Sequence, residues 1–470
     1  MSAPATTEKK YLKWYQKLAY GSGDLASNCS YGLVSSFVLL YLTGTLGLDS
    51  AIIGSLMLAS KVLDGISDVI FGTLIDRTHS KLGKARPWML FGQVGVSLCL
   101  FLLFAIPAGS TTMQYIYFFI VYTALNAVFY TANGIAYSSL VALITKNNNE
   151  RVQLGSFRFM FAVVTNIFMG FAVTGMVEKF GSGAAGWRTT ALIFAIVGLV
   201  VNTISCLAVK ELPEEELSDN TSEAAEEGKA VAKEKKHGFA ETAKILIHNK
   251  YYLMILAIYI VYYIMSNLTT GAGVFCATYY WGDGSLLGQF SVMKMFPVII
   301  ALAIAPVLIK KTGSMQKVNF WGYAISSVLG IPMIYFAMQK NISMFLLFMF
   351  IKGIFAGTLS GSLNALIAEA SGYTTRTTGI HMDGMMYSCS SLGVKVGGGI
   401  GTAAVGWLLK LGGFVGTATV QSESAIRMIF NLYITFPFVI GIIITVLLAF
   451  LDVEKANKKW DAEHQKEAQA

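Results

Sequence analysis

The chain has 470 residues, of which 54% are hydrophobic and only 13% charged, and its formal net charge is +8. A soluble globular domain carries about 25% charged residues, so a soluble multi-domain protein is excluded. Apolar runs recur almost without pause from Leu25 to Leu451. A bilayer-spanning helix needs about 20 mainly apolar residues, and this length accommodates about twelve of them with short loops.

Lys9, Lys10, Lys13 and Lys17 precede the first apolar run, and no small-residue cleavage site follows, which predicts an uncleaved first helix. Spans are predicted at 22–45, 52–76, 86–107, 115–144, 154–177, 188–208, 250–270, 286–309, 318–338, 343–370, 383–411 and 425–451. From Glu211 the chain reads ELPEEELSDNTSEAAEEGKAVAKEKK, too poor in large apolar residues to bury a core, so a flexible loop is expected there. The fold class is an all-α membrane protein of twelve transmembrane helices. It comprises an N-terminal six-helix bundle (1–210), a central loop (211–248), a C-terminal six-helix bundle (249–451) and a cytoplasmic tail (452–470). The six-and-six division suggests an internal repeat. The basic turn Asp76–Trp88 after span two has a fainter counterpart in Lys310–Lys317 after span eight.

Loop charge orients the bundle. Lys9 to Lys17, Arg77 to Arg86, Lys146, Arg151, the 210–250 segment, Lys310 to Lys317, Arg376 and Lys455 to Lys466 fall on one side. Only Lys179, Arg188, Lys340, Lys410 and Arg427 fall on the other. Such an excess places both termini in the cytoplasm of a cell inner membrane. Basic loops beside anionic headgroups account for the net charge without nucleic acid. Cys29, Cys99, Cys206, Cys276 and Cys389 all lie in apolar runs without paired spacing, and read as buried free thiols.

The informative residues are charges placed where charge is expensive. Span two carries Asp64 and Asp68 four residues apart, which stacks both carboxylates on one helix face. Two like charges so close are unfavourable unless a cation sits between them or one is protonated. Lys61 lies one turn earlier and could compensate one charge. The pair is therefore a candidate Na+ site, and the alternative is an internal ion-pair network. In span eleven, Lys395 sits among Gly393, Gly397 and Gly401, whose four-residue spacing lets another helix approach. A lysine on a closely packed face is expected to pair with a span-two carboxylate, the alternative being snorkelling to the interface.

A substrate cavity is expected from polar groups in the first half. Asp24 and Asn28 are four apart in span one. Asn126, Tyr130, Asn133 and Tyr137 form a polar–aromatic stripe in span four, and Arg158 and Asn166 follow in span five. Sugars need flat aromatic faces and hydrogen bonds to their hydroxyls, which Tyr, Asn, Asp and Arg supply. The same stripe also suits interhelical hydrogen bonding, and Asp24 suits tying spans together better than touching substrate.

The text YGSGDLASN (20–28), SKVLDGISDVIFGTLIDRTHSKLGKARPWML (60–90), ERVQLGSFRF (150–159) and AEASGYTTRTTGIHMDGMMYSCSSLGVKVGGG (368–399) resembles the glycoside–pentoside–hexuronide:cation symporter family. The resemblance implies the major-facilitator fold, alternating access in which two halves rock about a central site, and sugar uptake coupled to Na+, H+ or Li+. It implies Asp64, Asp68 and Lys395 at the cation site and Arg158 and Tyr130 at the sugar; with the polar groups read from the sequence itself, the candidate substrate set is Asn28, Tyr130, Asn133, Arg158 and Asp24. It also implies Asp76, Arg77, Gly83 and Lys84 as a cytoplasmic gating motif, with Asp76 able to cap a neighbouring helix. Departures fall at the sugar site. The family's best-known member has aspartates where this chain has Asn28 and, allowing a gap, Gly134 beside Asn133, and it has a tryptophan where this chain has Ser138. A less anionic cavity containing Arg158 would better tolerate a glucuronide.

The expected function is therefore secondary active symport of a glycoside, pentoside or hexuronide with a monovalent cation, by a monomer in a lipid bilayer. No cofactor beyond the coupling ion and no nucleic acid is expected. Exporters, exchangers and carriers of other organic solutes remain open. An enzyme and a channel are disfavoured by scattered histidines (His79, His237, His248, His381, His464) and by the lack of a repeated filter motif.

Overall fold

Helix starts along the chain carry their own stop signals for orphan amides. Ser110, Asn147, Asn249, Ser314, Asn341 and Ser422 each accept a hydrogen bond from a first-turn backbone N–H, an interaction worth about 1 kcal/mol apiece. Glycines in the left-handed region close others, at Gly282, Gly313 and Gly379. The computed structural model describes residues 9–213, 245–380, 383–418 and 420–467, and among these no strand occurs.

In the first half the helices are α1 (Trp14–Gly21), α2 (Gly23–Leu40), α3 (Ser50–Asp76), α4 (Arg86–Leu103), α5 (Thr111–Thr123), α6 (Thr131–Ile144), α7 (Asn148–Lys179) and α8 (Gly183–Leu207). In the second they are α9 (Lys250–Phe275), α10 (Leu286–Thr312), α11 (Met315–Met338), α12 (Ile342–Thr378), α13 (Asp383–Leu392), α14 (Gly398–Leu411), α15 (Glu423–Phe430), α16 (Phe436–Phe450) and α17 (Val453–Glu467). Wider π-helical turns interrupt the spans at Tyr41–Thr45, Ala124–Tyr130, Cys276–Trp281, Gly393–Gly397 and Asn431–Thr435. Among the described residues, eleven helices are long and apolar enough to cross a membrane. The remaining expected span, α3, is 27 residues long, roughly 40 Å at 1.5 Å per residue. It is not among the eleven, and it carries Lys61, Asp64, Asp68 and Asp76.

The chain divides into two compact units, Met1–Leu48 with Ala59–Lys236, and Asp49–Leu58 with His237–Ala470. Helix α3 is thus shared, its first turns grouping with the second unit. The 452–470 segment, expected as a simple tail, is helical over Val453–Glu467. Most of the expected central loop lies outside the described residues, but its first residues do not behave as a loop. The Glu211 carboxylate accepts hydrogen bonds from the amides of Lys84 (2.7 Å), Ala85 (3.0 Å) and Arg86 (3.1 Å), and Leu212 N–H donates to the Leu143 carbonyl. Three orphan amides at the positive end of α4 reward a carboxylate more than solvent does.

The first unit is packed around aromatic rings. Tyr41, Phe104 and Trp187 meet with centroids 5.1–5.9 Å apart, and Phe37 lies 6.0 Å from Trp187. In the second unit glycines set the spacing. A Cβ on Gly397 or Gly401 would lie 2.4 or 2.6 Å from the carbonyl oxygens of Ile260 and Ile264, so this face of the eleventh span sits directly on α9. Gly54 and Gly406 allow the first turns of α3 to meet α14 in the same way. There Ser50 Oγ donates to the Gly406 carbonyl, Trp407 Nε1 donates to Ser55 Oγ, and Lys410 Nζ lies 2.6 Å from Asp49. Burial pushes the Asp49 carboxyl up, but Lys410 and the Ala51 and Ile52 amides outweigh it and hold the group below its ordinary value. Its contribution is therefore complete above the ordinary carboxylate range and lost only as pH falls through the lower folded value.

A matching device closes the second unit. Glu454 accepts from the Met315 (2.8 Å) and Gln316 (3.0 Å) amides and from Ser314 Oγ, capping α11 as Glu211 caps α4. Gly83 makes the first cap possible, since its φ is +110° and a Cβ there would lie 2.3 Å from the Glu211 carboxylate. Gly83→Ala and Glu211→Ala should each lower the melting temperature of the purified protein by several degrees, consistent with about 1–3 kcal/mol for amides left unsatisfied. Because both act on one interaction, the double variant should be little worse than either single one. Additive losses in a thermal scan would refute the shared cap.

Candidate functional site

The first unit gathers ionisable and amide side chains from α2, α3, α6 and α7. Arg158 on α7 lies 2.7 Å from Asp24 on α2, with its guanidinium 4.2 Å from the centroid of the Tyr137 ring. One turn along α2, Asn28 accepts from Asn166 Nδ2 at 3.0 Å and donates to the Asp24 carbonyl at 2.7 Å. Tyr31 stacks on Tyr130 with centroids 5.7 Å apart. On α3, Asp64 lies 3.6 Å from Lys61 Nζ and 2.7 Å from Thr131 Oγ1, whose single proton is shared with the Asn126 carbonyl at 3.0 Å. That carbonyl belongs to the π-helical turn Ala124–Tyr130, where the helical ladder is loosened directly before Thr131. Asp68 lies one turn beyond Asp64, half-buried.

The expected stripe in span four divides. Asn133 is buried and donates to the Met89 carbonyl at 2.7 Å, with Asn202 at 3.4 Å, so it ties helices together and does not present itself to a sugar. The physical reason is Gly92 on α4, whose missing side chain draws α4 against the backbone of Asn133. Asn126 bonds the Tyr122 carbonyl and Tyr137 the Tyr20 carbonyl, both buried. Tyr130 alone of the four is half-buried, with its ring stacked on a neighbour. Asp24 does tie spans together, as its pairing with Arg158 requires. That pairing also neutralises Arg158, so its charge is already answered within the unit.

Lys395 lies in the π-helical turn Gly393–Gly397 of the second unit, half-buried between buried glycines. It was expected on the glycine-packed face, yet residues two apart point to opposite sides of a helix. Lys395 is therefore turned away from α9. In the gating motif, Asp76 is exposed and makes no cap; Glu211 takes that role, with Gly83 and the Lys84 amide beneath it. Arg77 is exposed at the end of α3. Among the described residues no cluster of three or more His, Cys, Asp or Glu could hold a metal, and Asp64 and Asp68 are two carboxylates one turn apart on α3. The five cysteines are free and buried.

Sequence reasoning passed over two lysines. Lys294 on α10 and Lys352 on α12 line one cavity of about 190 Å3 in the second unit, with Tyr262, Ser266, Tyr323 and Ser326. Lys294 reaches the Thr270 and Thr269 hydroxyls at 3.1 and 3.4 Å, and Lys352 has no hydrogen-bond or ion-pair partner among the described residues. Each sits within an apolar run, where an ammonium costs about 2.5–3.5 kcal/mol on insertion scales. The rule that singled out Asp64 and Lys395 would have found both.

The Asp24–Arg158 pair is mostly buried, with side-chain exposures of 17% and 24%. Removing one partner should strand the other, so Asp24→Ala and Arg158→Ala should each destabilise by about 2–4 kcal/mol, moderated by the remaining solvent access. A double-mutant cycle on thermal stability should return a coupling of about 1–3 kcal/mol. Strict additivity would show that the pair carries no stability.

Comparison with known proteins agrees with this architecture. The family profile described as MFS/sugar transport protein matches residues 19–455. The chain is 26% identical to the isoprimeverose transporter of Lactiplantibacillus pentosus, covering 100% of this chain and 96% of that one. It is 24% identical to the inner membrane symporter YicJ of Escherichia coli (strain K12), covering 92% and 90%. Among solved structures, a D-xylose–proton symporter superposes with a TM-score of 0.64 at 12% identity, covering 94% of this chain and 98% of that one. The chain belongs to the MFS/sugar transport protein family and is a membrane transporter of the major-facilitator fold, not an enzyme.

Proposed function

We propose that this transporter is a symporter that couples uptake of a sugar to a monovalent cation, Na+ or H+, by alternating access. The observation that carries the reading is the Asp64 carboxylate, paired with Lys61 and bonded to Thr131, with Asp68 one turn along the same helix. A second carboxylate beside the first raises the cost of ionising both, and a bound cation or proton relieves it. In the ion-free state Lys61 supplies part of that compensation. An entering Na+ would take oxygen ligands from Asp64 and Asp68 and displace the ammonium. Tyr130, Asn28 and Arg158 are assigned to the sugar, with Asp24 positioning Arg158. Lys395 is assigned to balancing charge when the cation is absent.

Names of relatives support the solute class: one is an isoprimeverose transporter and another a symporter. The Lys/Arg asymmetry of the loops supports an inner-membrane protein with both termini cytoplasmic. The working unit is taken as a monomer.

Asp64→Asn and Asp68→Asn should each abolish cation-driven accumulation of the transported sugar in vesicles, while counterflow of sugar persists more strongly than net uptake. Undiminished accumulation in both variants would reject the site. Coupling is reciprocal, so sugar should tighten Na+ binding by the same factor by which Na+ tightens sugar binding. Calorimetric titration in both orders measures this.

A further inference from the structure

The second unit holds the less expected chemistry. Its cavity is lined by tyrosines, serines and threonine, which suit sugar hydroxyls, together with Lys294 and Lys352. The two lysines lie at matching depth. Gly353 faces Pro297 and Gly357 faces Ala301, so α10 and α12 run parallel in a register that sets Lys294 beside the level of Lys352. They enter roughly 12 Å and 15 Å from the starts of their helices at 1.5 Å per residue. No carboxylate lines the cavity. No Asp or Glu exists between Asp283 and Glu369, so the two helices bring none with them at this depth. The hydroxyls of Thr269 and Thr270 solvate Lys294 without neutralising it. Two like charges thus border one small space, and an anion entering that space answers both.

We propose that Lys294 and Lys352 form an anion-binding subsite, and that the transported sugar is an acidic one whose carboxylate is held there while its hydroxyls meet the surrounding tyrosines and serines. This rests on the sugar-symport reading and names the substrate class within it. Arg158, the other cation expected to receive an acidic sugar, is already paired with Asp24, which leaves the lysines as the receptor for the carboxylate.

The test compares matched pairs on the full-length protein in proteoliposomes: the α and β methyl glucuronides against the corresponding methyl glucosides, in Na+, Li+ and proton gradients. The acid should bind and accumulate about tenfold or more better than its neutral partner in at least one pair. Lys294→Gln and Lys352→Gln should each reduce that acid-to-neutral ratio by roughly 10- to 100-fold, whereas Lys352→Arg, which keeps the charge, should retain it. The retained ratio in the arginine variant separates loss of charge from loss of folding. Accumulation of a neutral glucoside with no acid preference would overturn the subsite and leave cation–sugar symport standing. So would an acid preference unmoved by both glutamine variants. Binding of none of the sugars under any gradient would overturn the subsite and the symport reading together.

Discussion

An ionised side chain at lipid depth persists only where a partner, a polar cavity or a ligand answers it, and the arrangement of this transporter follows from how each charge is answered. In the first unit the answer is internal. Asp24 meets Arg158 and Asp64 meets Lys61, each across a single helix–helix contact or helical turn. In the second unit Lys294 and Lys352 are answered only by hydroxyls and a cavity. The two units therefore hold opposite charges within their spans: carboxylates one turn apart on α3, and two ammonium groups lining one cavity in the second unit.

A repeat is visible in the way each unit anchors its third helix. Glu211 follows α8 by the same short interval as Glu454 follows α16, and each carboxylate closes the N-terminus of a helix that begins after a basic turn. The amides at a helix start are positive and unsatisfied, so a carboxylate there is favoured twice, by hydrogen bonds and by the dipole. In the first unit Gly83 clears the space that the carboxylate occupies. In the second, Ser314 supplies an added hydroxyl donor. The faint echo of basic turns in the sequence thus corresponds to a shared capping device, carried by residues the turns themselves do not contain.

Much of this was legible in the sequence because hydropathy and charge act locally. The all-helical, membrane-spanning character and the charges held at Asp24, Asp64 and Arg158 follow from where charge meets apolar runs. Most of what was not legible depended on neighbours distant in sequence; Lys395 is the exception, since its offset from Gly393 and Gly397 is local. Asn133 reads as a cavity residue until Gly92, far back on α4, draws the two helices together. Asp76 reads as a cap until Glu211, at the edge of a segment too polar to fold alone, takes its place. Lys395 reads as glycine-packed until the two-residue offset turns it away from α9. Lys294 and Lys352 are as visible in the sequence as Asp64, as charges inside apolar runs; what the sequence does not show is the one cavity that both line.

The two chemistries also bear on energetics. A neutral sugar carried with one cation moves a net charge, and the membrane potential then contributes about 2.3 kcal/mol per 100 mV. A sugar acid carried with one cation crosses uncharged, so the potential does no work and accumulation is limited by the ion gradient alone. Lysines that favour the acid therefore exchange electrical driving force for selectivity, unless a second cation accompanies each sugar. Two adjacent carboxylates on α3 could take such additional charge, as one ion with a proton, but neutralising one removes the repulsion that favours neutralising the other, so the second is held more weakly. The stoichiometry of coupling and the charge of the substrate are thus one question, set by how many of Asp64 and Asp68 remain charged when the lysines are satisfied.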